Sequence, residues 1–318
     1  MIFKTLPQNG ASWQKPLLYN LDFEQREKQI IVEIYDLLSS EQIGRIMLYN
    51  LTSAEIDIAP YIRSRKLNEL LAKQESVIAP SQDACRVVLR VNGEESEPRL
   101  IFRSEISGLS PQVLSETSKN GTIAVGETIR LTILAHSEIN LFVTQPSDGG
   151  FRQFKYATGG VPCEVVVPIK IAKPGDNVEL RVVCDDESIV ECKYRVVERD
   201  SSAVRLTWVN AKGGMESYTF PQSVKRSLVV KSEDLEGECG WYRRVTGSTV
   251  VRRVLLLGAT QSEIDSMVDI LLSPMVVRCD NGREMAVQLL TDTITYDDHG
   301  RVRRLEFDIK EEWKGGVL

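Results

Sequence analysis

The sequence predicts an all-β protein, mainly antiparallel and with two short helices, built as several domains around a central immunoglobulin-like β-sandwich. Three observations predict it. Apolar and polar residues alternate at period two along most of the apolar runs, the pattern of strands with one dry and one wet face. Clusters of turn-forming residues separate these runs at short spacing. Helical spacing occurs at only two places, around residues 64–73 and 260–274.

In the first stretch, residues 1–110, strands are expected near 30–35, 43–50, 54–58, 86–92 and 99–104. Ile30, Val32 and Ile34 alternate with Ile31, Glu33 and Tyr35, and Val87, Leu89 and Val91 with Arg86, Val88 and Arg90. Leu67, Leu70 and Leu71 place a helix over 64–73. The second stretch, 111–199, holds six or seven short strands separated by turn clusters at 119–121, 147–150 and 173–176, the length and spacing of an immunoglobulin-like sandwich. It lacks the Cys…Trp…Cys signature of antibody domains. Here Val178, Leu180, Val182 and Cys184 alternate with Glu179, Arg181 and Val183. The third stretch, 200–318, opens with a hairpin around Trp208. Thr260 and Glu263 form a capping box, followed by an apolar stripe of Ile264, Met267, Val268 and Leu271, and Ser273-Pro274 ends that helix. Hairpins are expected at 280–282 and 297–300, and Leu305, Phe307 and Ile309 mark one face of a last strand. The first and third stretches fold separately or as one interleaved unit with the sandwich inserted at a surface turn.

The bulk properties narrow the function. The chain of 318 residues has a net charge of −6 and a pI near 5.3, which argues against a nucleic-acid binder with a basic face. Residues 1–10 lack the apolar stretch of a signal peptide, and no run reaches transmembrane length. A chain made and kept in the cytoplasm until an assembly exports it is expected, with no membrane partner. None of the six cysteines forms a Cys-x-x-Cys pair. Cys184 and Cys192 flank a turn at 185–188; in a cytosolic β-domain they read as buried free thiols rather than a cross-turn bridge.

Motifs for chemistry are scarce. The two histidines, His136 and His299, lie in no motif with a nucleophile. The acid pairs Asp185-Asp186 and Asp297-Asp298 fall in hairpin turns, where aspartate serves turn geometry; Glu311-Glu312, as strand neighbours, point to opposite faces. The Gly149-Gly150, Gly159-Gly160 and Gly213-Gly214 pairs are not followed by the Lys-Ser/Thr of a phosphate loop. No catalytic residue, metal ligand or cofactor is assigned. One cluster suits an interface: Arg243, Arg244, Arg252 and Arg253 with Trp241 and Tyr242, since arginine and aromatics are enriched at protein contacts. The simpler reading places these arginines on two antiparallel strands, paired with nearby acids.

The segment 206–220 reads strand, turn, strand. Leu206 and Trp208 point one way and Thr207 and Val209 the other; Asn210 to Gly214 supplies residues that tolerate positive φ; Ser217-Tyr218-Thr219-Phe220 resumes a strand. With the preceding Tyr194 to Arg199, this Trp-x-Asn…Gly-Gly…Tyr-x-Phe hairpin resembles prophage-encoded tail- or baseplate-associated proteins of Bacteroidetes. Ala54 to Pro60, with its Ile-Asp-Ile core, Leu18-Tyr19-Asn20 and the helix ending in Leu-Ser-Pro are similar in layout. The resemblance implies an all-β fold, no catalysis, and contacts with copies of itself and with neighbouring tail proteins, in the host cytoplasm during assembly and then in the virion. The alternative is a cell-surface glycan-binding or adhesin module using Trp13, Trp208, Trp241 or Trp313 as sugar platforms. A carboxylate hydrolase would need two acids brought together from distant segments, and nothing positive points to one.

Overall fold

A computed structural model describes residues 2–64, 77–81, 84–103, 110–116, 120–145, 150–169, 172–185, 187–200, 202–220, 222–237, 240–257, 264, 267–273, 275–280, 283–291 and 304–312. It is nearly all β, in four sheets rich in antiparallel pairs, as the period-two pattern predicts.

The first sheet contains β1 (Ile2–Thr5), β2 (Ala11–Ser12), the long hairpin β3 (Leu18–Asp36) and β4 (Glu41–Asp57), and β6 (Ala84–Val91), β7 (Glu94–Glu95) and β8 (Arg99–Phe102). Its order is β1-β3-β6-β8-β2, with β4 on β3 and β7 on β6. The alternation near 30–35 and 86–92 is realised: Ile30, Val32, Ile34, Val87, Leu89 and Val91 all lie in one apolar core. The strands expected at 43–50 and 54–58 are one continuous strand. Asn50 turns to φ 57°, and the register moves from Leu51 opposite Glu27 to Ser53 opposite Asp22, so the partner strand absorbs the extra residues in a bulge. A short helix, α1 (Ala59–Arg63), follows. The Asp57 carboxylate accepts from the Ala59 and Leu17 amides at 3.0 and 2.8 Å, fixing the strand-to-helix corner. Of the helix expected over 64–73, only Ser64 is described, and it caps α1.

The middle unit is a sandwich. One sheet has the order β5 (Val77–Pro80), β14 (Cys163–Pro168), β11 (Thr128–Leu134), β9 (Gln112–Val113). The other runs β10 (Asn120–Ala124), β16 (Glu187–Val197), β15 (Asn177–Cys184), β12 (Glu138–Gln145), β13 (Gly150–Ala157), with β10 parallel to β16. Leu131, Ile133 and Val165 from the first sheet meet Leu141, Leu180 and Val182 from the second in one core. The 173–176 turn forms as expected, with Gly175 at φ 97° and the Asp176 carboxylate accepting from the Lys173 amide. Asn120-Gly121 is strand rather than turn. Strand β5 comes from the first stretch of the sequence: Val77–Pro80 pairs with β14 and completes its sheet. A small cluster of Ala84, Leu100 and Phe102 with Leu134 and Val161 joins the first sheet to the sandwich.

The third unit contains β17 (Val204–Val209), β18 (Met215–Phe220), β19 (Gln222–Gly237), β20 (Gly240–Leu257), β21 (Val276–Asp280), β22 (Arg283–Leu289) and β23 (Arg304–Glu312), in the order β18-β17-β21-β22-β23-β20-β19. The sheet curls until β18 touches β20, and Phe220 meets Phe307 edge-on at 5.2 Å. Ile264, Met267 and Ile270 plug this curled sheet beside Leu206, Trp208 and Leu305, so the apolar stripe read in the sequence is core packing. Thr260 and Glu263 of the capping box, the 281–282 turn and the 297–300 turn lie outside the described residues. The first and third units share no described strand.

Candidate interaction surfaces

The Trp208 hairpin occupies the seam between the sandwich and the third unit. Leu206 and Trp208 enter the third unit's core, as the alternation predicts. The opposite face is buried as well: every residue of β17 is buried, and β11 packs on its hairpin partner β18. Asn210 organises the turn. Its side-chain oxygen accepts from the Lys212 and Gly214 amides at 2.9 and 2.7 Å, while its amide nitrogen donates to Leu114 O at 2.7 Å and to Glu216 at 2.6 Å. Glu216, wholly buried, also accepts from the Glu116 amide. Gly213 takes φ 78°, which suits glycine. Gly214 is required for another reason: a Cβ there would lie 2.5 Å from Leu114 O. The Asn…Gly-Gly motif therefore locks one unit against another.

Charge is matched along the same seam. Arg205 donates to Thr128 O at 2.6 Å and to Thr219 Oγ1 at 2.8 Å, and lies 3.3 Å from Glu127; both ionic side chains are 5% exposed. Arg130 reaches Glu164 of its own sheet at 2.6 Å and Glu284 of the third unit. Buried cations with carboxylate and carbonyl partners hold an interface in one register. Burial nevertheless pushes the Glu284 carboxyl above its ordinary value, with Arg130 opposing.

The arginine and aromatic cluster lies on β20 but not as one patch. Arg252 and Arg253 sit where β20 is flanked by β23. Arg253 grips Asp308 at 2.9 and 3.1 Å and lies 3.1 Å from Glu306. Arg252 lies 3.0 Å from Glu311, which Arg278 also holds at 2.7 Å. Trp241, Tyr242, Arg243 and Arg244 sit about nine residues away, roughly 30 Å along a strand. Among the described residues β19 and β20 there pair with each other alone: the last described β23 residue paired to β20 is Glu312, opposite Thr249. Residues 231–237 and 240–248 thus form a two-stranded arm among the described residues. Its register sets Glu233 opposite Arg244, Asp234 opposite Arg243, Leu235 opposite Tyr242 and Glu236 opposite Trp241. The arm was hidden in the sequence because its strands carry mixed polar residues instead of clean alternation.

The remaining candidates are dispersed. His136 is exposed between β11 and β12; His299, Asp297 and Asp298 lie outside the described residues. Asp185 occupies a turn at φ 50°, and Asp186 is not described. Cys184 and Cys192 are buried free thiols on different register rows, Cys184 opposite Glu187 and Cys192 opposite Leu180. Among the described residues no group of three or more His, Cys, Asp or Glu could hold a metal ion, and no helix is long and apolar enough to cross a membrane. Trp13 is buried with Arg103 over its ring, and Trp208 is fully buried, so neither offers a face to a sugar. The Trp241 side chain and Trp313 are not described.

No family model and no curated protein matches the chain. Among solved structures, a biofilm-associated protein BSP domain is similar over 62% of this chain and 30% of its own length, at 7% identity and a TM-score of 0.18. The chain thus spans under a third of that structure, and a likeness this slight carries no argument about function.

Proposed function

We propose that the chain is a non-enzymatic structural component of a phage or prophage tail or baseplate, acting by assembly with copies of itself and with neighbouring tail proteins. The observation that carries this is the two-stranded arm. An isolated two-stranded ribbon is marginal in water, and among the described residues the arm's strands have no further strand along their outer edges, where backbone donors and acceptors can pair with another chain. Such an element is stabilised when another chain covers it. The rigid base behind it suits that use: the arm grows from a packed sheet, which is locked to the sandwich through Arg205, Glu127 and Asn210. The resemblance of the Trp208 hairpin to tail-associated proteins points the same way.

The middle unit fits an immunoglobulin-like sandwich in this reading. Strands β9, β11 and β14 take the A, B and E places, and β10, β16, β15, β12 and β13 the A′, G, F, C and C′ places; β5 fills the D place from upstream. The chain would be made in the host cytoplasm and end in the virion. The reading is tested on tailed particles induced from cells that carry the gene. Mass spectrometry of purified particles should find the chain, and antibody labelling should place it on the tail. Particles with complete tails that lack the chain would sink the proposal.

A further inference from the structure

We infer that the arm's partner is the arm of a second copy, joined edge to edge and head to tail, so that β20 of one copy pairs with β19 of the next. This rests on the assembly reading above and specifies its contact. Two edges without a described neighbour make the join feasible. Among the described residues, β19 is the last strand of its sheet along all of Gln222–Gly237, and β20 has no neighbour but β19 over 240–248. If neighbouring arms point the same way, each β20 meets an antiparallel β19, and a continuous antiparallel sheet runs across the copies. The base of the β19 edge adds Leu228 and Val229, 53% and 46% exposed.

Charge selects the head-to-tail sense. The arm half of β19 carries Lys231, Glu233, Asp234 and Glu236, all exposed, and the arm half of β20 carries Arg243 and Arg244. One strand of the arm is therefore net acidic and the other basic. A two-fold join would set β20 beside β20, arginine against arginine, or β19 beside β19, acid against acid; like charges directly opposite destabilise strand pairs. The head-to-tail join alternates acidic and basic strands throughout. Being heterologous, it closes into a ring if the rotation between copies closes, and otherwise builds a helical filament.

The test uses two full-length variants, Arg243→Glu/Arg244→Glu and Glu233→Arg/Asp234→Arg, followed by sedimentation velocity. Because each double change also sets like charges opposite within the arm, at the Glu233–Arg244 and Asp234–Arg243 pairs, circular dichroism melting checks the fold and amide hydrogen exchange over 231–248 checks that the arm stays paired. Each variant alone should self-associate at least about tenfold more weakly than wild type, because opposed pairs become like charges. A mixture of the two should co-assemble, since one offers acidic edges and the other basic ones. A wild type that stays monomeric up to its solubility limit overturns the inference, as does assembly unchanged in both variants or a mixture that behaves as the sum of its parts. The tail reading fails separately, through absence of the chain from particles. Presence in particles with charge-insensitive assembly would leave that reading standing and remove this contact.

Discussion

Asn210 makes four hydrogen bonds with one side chain, two inside its own turn and two outward to Leu114 and Glu216. Asn210→Asp keeps the acceptor but loses both outward donors, and sets a carboxylate beside buried Glu216. A loss of about 2–4 kcal/mol, read by urea unfolding, is expected from the unpaired buried groups. Gly214→Ala should cost about 1–3 kcal/mol by overpacking against Leu114 O, whereas the same change at Gly121 meets no atom and no positive φ. The glycine pair and the asparagine were legible as a turn. Their larger purpose was not, because the backbone that forbids a Cβ at Gly214 lies a hundred residues away in sequence. Trp208 was legible as core from its place in the alternation.

At the scale of elements, period-two reading located the core strands well and their ends poorly. The strands expected near 43–50 and 54–58 are one, because β3 takes up the irregular register between Asp22 and Glu27 in a bulge. The β20–β23 pairing supplies a pH-dependent term. The Arg253 guanidinium, hydrogen-bonded to Asp308, holds that carboxyl below its ordinary range, against a smaller contribution from burial. A carboxyl lowered on folding stabilises above its unfolded value, and this contribution is lost as pH falls through the folded one. Arg253→Met should therefore raise the Asp308 titration toward the ordinary aspartate range in carbon-detected NMR. The stability difference between variant and wild type should be present at neutral pH and vanish in acid. An unmoved Asp308 midpoint would show that the pair does not form in solution.

For the whole molecule, the polar face of β17 teaches the limit of single-strand reasoning. Alternation predicted that Thr207 and Val209 would face away from Leu206, and they do; it gave no sign that another unit covers them. Polar residues on that face are as consistent with solvent as with a buried, matched seam. Arg205→Ala would leave Glu127 buried with its cation gone, a change expected to cost about 3–5 kcal/mol. If the seam joins the units through this contact, the variant should split a shared calorimetric transition of sandwich and third unit into two; a single transition at lower temperature would show that their coupling does not depend on the Arg205 contact. The strand β5 has a consequence on the ribosome. Val77–Pro80 emerges 83 residues before Cys163, the start of its partner strand, which is roughly 5–15 s at common rates of translation. For that interval the nascent first sheet carries a bare apolar strand with no place to dock. Pro80 withholds one backbone donor at its end, a modest guard against premature pairing with another nascent chain. Slowing synthesis between these two segments should therefore lower the soluble yield, whereas a pause after Pro168 should not.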